Sequence, residues 1–161
     1  MTTPDADEDD RLVAELYPAL RRFAAVVAAD DLDPDDLLQE AIVRTLRRGP
    51  LHRLDAPGPY LRAAMANLAA NHDRQRGRER RAHERIAASS DVGTPAAYPS
   101  DLDDLAQLSS HDRAVLYLAD VERLPLAEVG RILGTSTTNA RARASRARRR
   151  LARTLAQGAD R

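Results

Sequence analysis

Apolar residues in this chain recur mainly at intervals of three and four, the period of one face of an α-helix. The first series consists of Leu12, Leu16, Leu20, Phe23 and Val27. Pro18 lies inside this series, so the helix must kink there or a new helix must begin. Residues 1–10 are polar, mostly acidic and without an apolar period, which predicts a disordered acidic tail.

The next predicted helix has a clear start and a clear end. Asp33 can cap its N-terminus, Pro34 suits its first turn, and two further aspartates complement the positive end of the helix dipole. Gly49-Pro50 ends the helix. Its predicted buried stripe consists of Leu38, Ala41, Ile42, Thr45 and Leu46.

A longer helix is predicted from about Tyr60 to Ile86. One face carries apolar residues in the first half of this helix. Another face carries polar residues at i, i+4, i+7 and i+11, namely Asn67, Asn71, Arg74 and Arg78. The second half, residues 73–85, has almost no apolar side chains and is expected to protrude or fray. Residues 87–100 are small, polar and contain glycine and proline, which predicts a linker.

The C-terminal part contains the pattern of a helix-turn-helix. Leu126, Val129, Ile132 and Leu133 form one short amphipathic helix, Gly134 follows it, and Ser136 can cap a second helix. Gly130 is small enough to let the two helices cross closely. The N-terminal residues of the second helix would enter the major groove first, and these are Thr137, Thr138, Asn139 and Arg141. Further arginines, Arg149 among them, follow and are suited to phosphate contacts.

These elements predict an all-α fold of two small helical domains joined by a flexible linker. The first domain spans residues 11–86, the linker 87–100, and the second domain, with the helix-turn-helix, 101–157. Ser109 is expected to cap a helix in the second domain.

Composition narrows the possible functions. The 161 residues include no cysteine, which excludes disulfides and thiolate chemistry. The chain has no apolar run of about 18 residues and no hydrophobic signal core at its N-terminus, so we expect no membrane insertion and a cytoplasmic location.

The net charge is zero, but acidic and basic blocks alternate along the chain. Residues 1–40 hold 12 acidic and 3 basic side chains, whereas residues 41–86 hold 4 and 11. The pattern repeats over residues 101–135, with 7 and 3, and residues 136–161, with 1 and 8. The basic blocks predict contact with a polyanion, and the alternative is that they are solvated helix faces.

Three stretches of this sequence resemble the extracytoplasmic-function (ECF) sigma factors. DPDDLLQEAIVRTLRR (33–48) is similar to the family's region-two helix that grips the polymerase clamp. PYLRAAMANLAANHDRQR (59–76) is similar to the helix that melts and reads the −10 promoter element. LPLAEVGRILGTSTTNARARASRARRRL (124–151) is similar to the region-four helix-turn-helix that reads the −35 element.

The resemblance implies three groups of site residues. Those implied for polymerase contact are Asp36, Gln39, Glu40 and Arg44. Those implied for the −10 element are Tyr60, which replaces a common Trp, Asn67, Asn71 and Arg74. Those implied for the −35 element are Asn139, Arg141, Ala142, Ser145 and Arg146. The implied partners are core RNA polymerase and promoter DNA, often with an anti-sigma factor, and the implied protein has no cofactor, no metal and no catalytic role.

Two other functions stay open. A stand-alone helix-turn-helix regulator would account for residues 101–155 but not for the helix at 33–48 or the asparagine pair. A helical enzyme would need a catalytic or cofactor-binding site. The sequence contains no Gly-rich loop that could bind phosphate groups. Its four histidines, which lack metal-ligand spacing, are His52, His72, His83 and His111. The aspartates in 30–36 could suggest Mg²⁺, although capping and a clamp-binding face account for them better.

Overall fold

The computed structural model describes residues 4–28, 30–87 and 108–159, and these ranges contain helices and turns but no strand. Helices α1, α2 and α3 span Pro4–Val27, Pro34–Leu46 and Pro57–Ala87, with a 3₁₀ turn at Leu51–Arg53. Helix α4 spans Ser110–Leu116 and runs into a π-helical turn at Tyr117–Val121. Helices α5 and α6 span Leu126–Ile132 and Thr137–Ala159. The all-α prediction is confirmed, whereas the predicted linker lies almost wholly outside the described residues.

Helix α1 begins at Pro4, so the prediction of a disordered tail over residues 1–10 is wrong for residues 4–10. Asp9 is buried at 7% exposure, and its carboxylate accepts a hydrogen bond of 2.8 Å from the backbone N–H of His52. Burial raises the pKa of Asp9, but hydrogen bonds from His52 and Leu51 outweigh it and hold that pKa below its usual range. Asp5 pairs with Arg53 at 3.2 Å. These contacts come from a turn some forty residues away (43 for Asp9 and His52), which local periodicity does not reveal.

The helix also continues through Pro18, so no second helix begins there. Asp33 caps α2 as predicted, because its side chain accepts hydrogen bonds from the backbone N–H groups of Asp35 and Asp36. The predicted buried stripe of α2 is partly wrong, since Leu46 is 41% exposed. The residues of α2 that are buried are Leu37, Leu38, Ala41 and Thr45. The buried face is therefore rotated toward Leu37.

The N-terminal and C-terminal halves share one hydrophobic core, to which α1, α2 and α3 contribute together with α4, α5 and α6. The rings of Phe23 and Tyr117 meet edge to face, with 5.5 Å between their centroids. Arg113 is 4% exposed and donates to the backbone carbonyl of Val27 at 2.9 Å. Asp73 accepts hydrogen bonds from both the backbone N–H and the hydroxyl of Ser110. In this arrangement the two helical halves pack directly against each other.

Candidate nucleic-acid interface

The helix-turn-helix forms as the sequence predicts. Gly134 follows α5 in the left-handed region, with a φ of +65°. The hydroxyl of Ser136 accepts a hydrogen bond of 3.1 Å from the backbone N–H of Asn139 and so caps α6. A Cβ at Gly130 would lie 2.8 Å from the carbonyl oxygen of Thr135. Glycine at 130 thus makes room for the turn that leads into α6.

Helix α6 presents a polar face opposite its buried side. Its buried side is lined by small residues, Ala140, Ala144 and Ala147. Every residue that the sequence singled out on this helix for −35 DNA, apart from the half-buried Ala142, is exposed: Thr137, Thr138, Asn139, Arg141, Ser145, Arg146 and Arg149. The predicted residues therefore share an accessible surface.

The arginines of α6 divide into two classes, which the sequence did not distinguish. Arg143 pairs with Asp112 at 2.8 Å, and Arg148 donates two hydrogen bonds to Asp120. The hydrogen bond from Arg148 to Asp120 raises the pKa of that guanidinium. Arg141 and Arg146, by contrast, have no carboxylate partner in the part of the chain that the structure describes. The first class ties α6 to α4 and to the π-helical turn that follows α4, and the second remains available to an external anion.

A groove of about 340 Å³ lies between α2 and α3. Three of the four residues predicted for the −10 element, Tyr60, Asn67 and Asn71, line it together with Arg44 and Arg48. Arg48, which the sequence did not single out, donates a hydrogen bond of 3.1 Å to the Tyr60 hydroxyl. The fourth, Arg74, is exposed and donates to the side-chain oxygen of Asn71. The groove thus combines an aromatic ring, two amides and two guanidinium groups.

The outer face of α2 borders a second groove of about 460 Å³. Asp36, Gln39 and Glu40 stand at its polar edge, and its apolar lining includes Val43, which is 41% exposed. Arg44, the fourth residue predicted for polymerase contact, pairs with Glu40 and lines the other groove instead. An apolar groove edged by carboxylates suits a protein partner with apolar and basic side chains.

The neighbouring Asp35 has a different role from these exposed carboxylates. Its carboxylate accepts hydrogen bonds from the hydroxyl of Tyr17 at 2.9 Å and from Arg21 at 3.1 Å. Hydrogen bonds from Tyr17 and Arg21 lower the pKa of Asp35. This residue therefore fastens α2 to α1. Among the described residues no group of three or more His, Asp or Glu side chains is placed to hold a metal ion.

Comparison with known proteins gives matches over both the N-terminal and the C-terminal half of the chain. The chain matches the family Sigma-70 region 2 over residues 12–79 and the family Sigma-70, region 4 over residues 105–151. It is 31% identical to the RNA polymerase sigma factor CarQ of Myxococcus xanthus, across 95% of this chain and 91% of that protein. It is 28% identical to the ECF RNA polymerase sigma factor SigM of Mycobacterium tuberculosis, across 91% and 76%. The chain belongs to the ECF sigma factors.

The fold of this sigma factor is also found among solved structures. The co-crystal structure of the sigma factor RpoE with the anti-sigma factor NepR from Bartonella quintana matches it with a TM-score of 0.65 and 21% identity. That match covers 91% of this chain and 95% of the other. As an alternative sigma factor, the protein directs promoter-specific transcription initiation. A stand-alone regulator is disfavoured because the region-two match lies outside the helix-turn-helix. Within the described ranges no helix is both long and apolar enough to cross a membrane.

Proposed function

We propose that this sigma factor binds bacterial core RNA polymerase through the outer face of α2 and holds promoter DNA at two further surfaces. The observation that carries the proposal is the separation of these surfaces by chemistry. The outer groove of α2 has carboxylates at its edge, whereas the groove between α2 and α3 and the face of α6 carry arginines and amides. A carboxylate-edged surface disfavours DNA and suits a polymerase subunit, whereas the other two surfaces suit a polyanion.

The groove between α2 and α3 is assigned to the −10 element. A base that has left the duplex must be held in a pocket by stacking and by hydrogen bonds to its edge. Tyr60 supplies a ring for stacking, and the amides of Asn67 and Asn71 both donate and accept. Arg74 lies beside Asn71 and is placed to contact the backbone of the same strand.

The face of α6 is assigned to the −35 element. Thr137, Thr138 and Asn139 stand at the N-terminus of the helix, the end that enters the major groove in helix-turn-helix proteins. Arg141 and Arg146 are free of carboxylate partners among the described residues and can read guanine or hold phosphate. Ser145 and Arg149 extend the same exposed face toward the backbone.

Further features of the proposal follow from the partnership with polymerase. Because a sigma factor acts together with core RNA polymerase on the chromosome, we propose a cytoplasmic location for this protein, and we assign no catalytic step to the chain. We also propose that an anti-sigma factor restrains it, with support from the similarly folded RpoE, which was crystallised with the anti-sigma factor NepR.

The test is co-purification of the full chain with sigma-free core RNA polymerase in moderate salt. The wild type is expected to bind, and Glu40→Arg is expected to lose about tenfold or more in affinity because it places a like charge at a contact. Glu15→Arg is the matched control, because it reverses the charge of an exposed carboxylate on a different helix, α1. This variant should bind as the wild type does. Circular dichroism would establish that all three are folded.

Two outcomes would contradict the proposal. Failure of a folded, partner-free wild type to bind core polymerase would leave only the DNA-binding surfaces and favour the stand-alone regulator. Equal loss in Glu40→Arg and Glu15→Arg would remove the assignment of the contact to α2.

A further inference from the structure

A row of arginines on α3 extends beyond the groove between α2 and α3, which is called the −10 groove from here on. The arginine stripe consists of Arg74, Arg78, Arg81 and Arg85, and all four side chains are exposed. At 3.6 residues per turn they fall within an arc of about 80° that also contains Tyr60, Asn67 and Asn71. The stripe is therefore a direct continuation of the face that forms the −10 groove.

Charges on this half of α3 are separated by face. The acidic residues Asp73, Glu79 and Glu84 all lie outside the arc of the stripe. Arginines outside the arc are neutralised, because Arg76 pairs with Asp31 at 2.9 Å and Arg80 pairs with Glu84 at 3.7 Å.

The stripe arginines are arranged differently. Within the described residues none of them forms an ion pair with a carboxylate. Arg74 donates to the side chain of Asn71, and Arg85 donates to the backbone carbonyl of Arg81 at 3.2 Å. A face that was only solvated would be expected to mix both signs of charge and to pair them. A row of arginines without carboxylates points instead to a polyanionic partner.

We propose that the arginine stripe binds the sugar-phosphate backbone of duplex DNA immediately adjoining the −10 element. This inference rests on the proposed function, since the position of the −10 groove fixes where the stripe begins. From Arg74 to Arg85 the helix rises by about 16 Å, the length of about five base pairs of B-form DNA. The stripe has no aromatic residue on which a base could stack, so it suits paired DNA rather than a single strand. Contacts of this kind position the protein and read no sequence.

The first test measures the affinity of the holoenzyme, assembled from the full chain and core polymerase, for a fork DNA with one duplex arm and one single-stranded arm. Arg78→Gln with Arg81→Gln removes two charges from the stripe. Arg76→Gln with Arg80→Gln removes two charges from the same helix, outside the stripe, and is the matched control. The stripe variant should bind about tenfold or more weakly near physiological salt, and its log K against log [salt] slope should be shallower by about two. The control should stay within about twofold of the wild type, because its arginines are already paired.

The second test locates the contact. Ethylation of single phosphates in the duplex arm next to the fork should interfere with binding by the wild type and should have no effect on the stripe variant. Arg78→Lys with Arg81→Lys should keep most of the affinity, since lysine still supplies a charge for phosphate.

The outcomes separate the inference from the proposed function. If the full chain fails to join core polymerase, the proposed function itself falls. If the holoenzyme forms but the stripe variant and its control lose equal affinity for the fork DNA, the affinity depends only on net charge. The proposed role of the arginine stripe is then overturned. Interference confined to the single-stranded arm would also overturn the assignment to duplex DNA.

Discussion

The groove between α2 and α3 and the exposed face of α6 carry similar side chains on surfaces of opposite shape. The groove is concave, with Arg44 contributed by α2, Arg48 by the turn after α2 and the two asparagines by α3. The face of α6 is convex, because small alanines seat the opposite side of the helix against the core. A concave pocket can hold one unstacked base, whereas a convex helix fits the major groove of intact duplex. If the proposed assignments hold, the shapes of the two surfaces distinguish the melted −10 element from the paired −35 element, which their similar side chains do not.

In both regions some arginines form ion pairs within the protein and others do not. Arg143 and Arg148 on α6, like Arg76 and Arg80 on α3, are held by carboxylates of the protein itself. On the surfaces proposed to face DNA, Arg44 pairs with Glu40, but no carboxylate partner is found among the described residues for Arg48, Arg74, Arg141 and Arg146. We therefore expect a missing carboxylate partner to be a better indicator of nucleic-acid contact in this chain than the number of arginines. Variants of paired arginines should affect stability, and variants of the others should affect DNA binding.

The largest effect is expected from Arg113, which is buried and donates hydrogen bonds to the backbone carbonyl oxygens of Val27 and Leu108. Arg113→Leu should lower the free energy of unfolding by about 3 kcal/mol, since the carbonyl oxygens of Val27 and Leu108 would lose their donor in the interior. Arg113 is only 4% exposed, and this burial lowers the pKa of its guanidinium. Urea unfolding measures the change. Arg76→Leu, which breaks an exposed ion pair, is the control and should cost less than about 1 kcal/mol.

A loss of less than about 1 kcal/mol for Arg113→Leu would contradict the division between structural and DNA-binding arginines. It would mean that these carbonyl oxygens find other donors, and that the halves do not depend on Arg113 for their packing.

A smaller effect, on function rather than stability, is expected from the unpaired arginines of α6. Arg141→Ala and Arg146→Ala should each reduce −35-dependent transcription by about tenfold, the consequence of losing a base or phosphate contact. Binding to core polymerase should be unchanged. The controls are Arg143→Ala and Arg148→Ala, which remove an equal charge from the same helix but break internal pairs with Asp112 and Asp120.

In vitro transcription from a promoter selected by the holoenzyme, alongside co-purification with core polymerase, would check this. Loss of polymerase binding in Arg141→Ala or Arg146→Ala would break the division of labour between α2 and α6. An equal fall in transcription for all four variants would show that an ion pair with a carboxylate of the protein does not distinguish structural arginines from DNA-binding ones.

Features set by neighbouring residues could be predicted from the sequence. The caps at Asp33, Ser109 and Ser136 depend on side chains that reach backbone N–H groups two or three residues away. Gly134 adopts the positive φ that its place between two amphipathic helices indicates. The three candidate surfaces likewise came from spacing along single helices and from the family resemblance.

Contacts between residues far apart in the chain could not be predicted in this way. Arg113 and Val27 are 86 residues apart, so nothing local marks this arginine as interior. The burial of Leu37 instead of Leu46 depends on how α2 is rotated against its neighbours, because both leucines fit an amphipathic pattern. The hydrogen bond from Arg48 to Tyr60 joins the turn after α2 to α3, so spacing along a single helix does not reveal Arg48.

The smallest effect is expected from Asp9, a carboxylate that is hydrogen-bonded within the protein. It tests whether internally paired acidic residues, like internally paired arginines, contribute to stability. Its pKa in the folded protein lies below the ordinary value of 3.8, so it contributes stability that is present above that value and lost as the pH falls through the folded-state pKa. Wild-type unfolding free energy should therefore decline below about pH 4, and Asp9→Asn should show a shallower decline in that window. At neutral pH the variant should be less stable by about 1 kcal/mol, since an amide accepts the His52 hydrogen bonds less strongly. Glu8→Gln, an exposed neighbour, should follow the wild-type profile.

If Asp9→Asn also followed the wild-type profile, the carboxylate would not be what holds the start of α1 against the Leu51–Arg53 turn, and the helical order of residues 4–10 would need another cause.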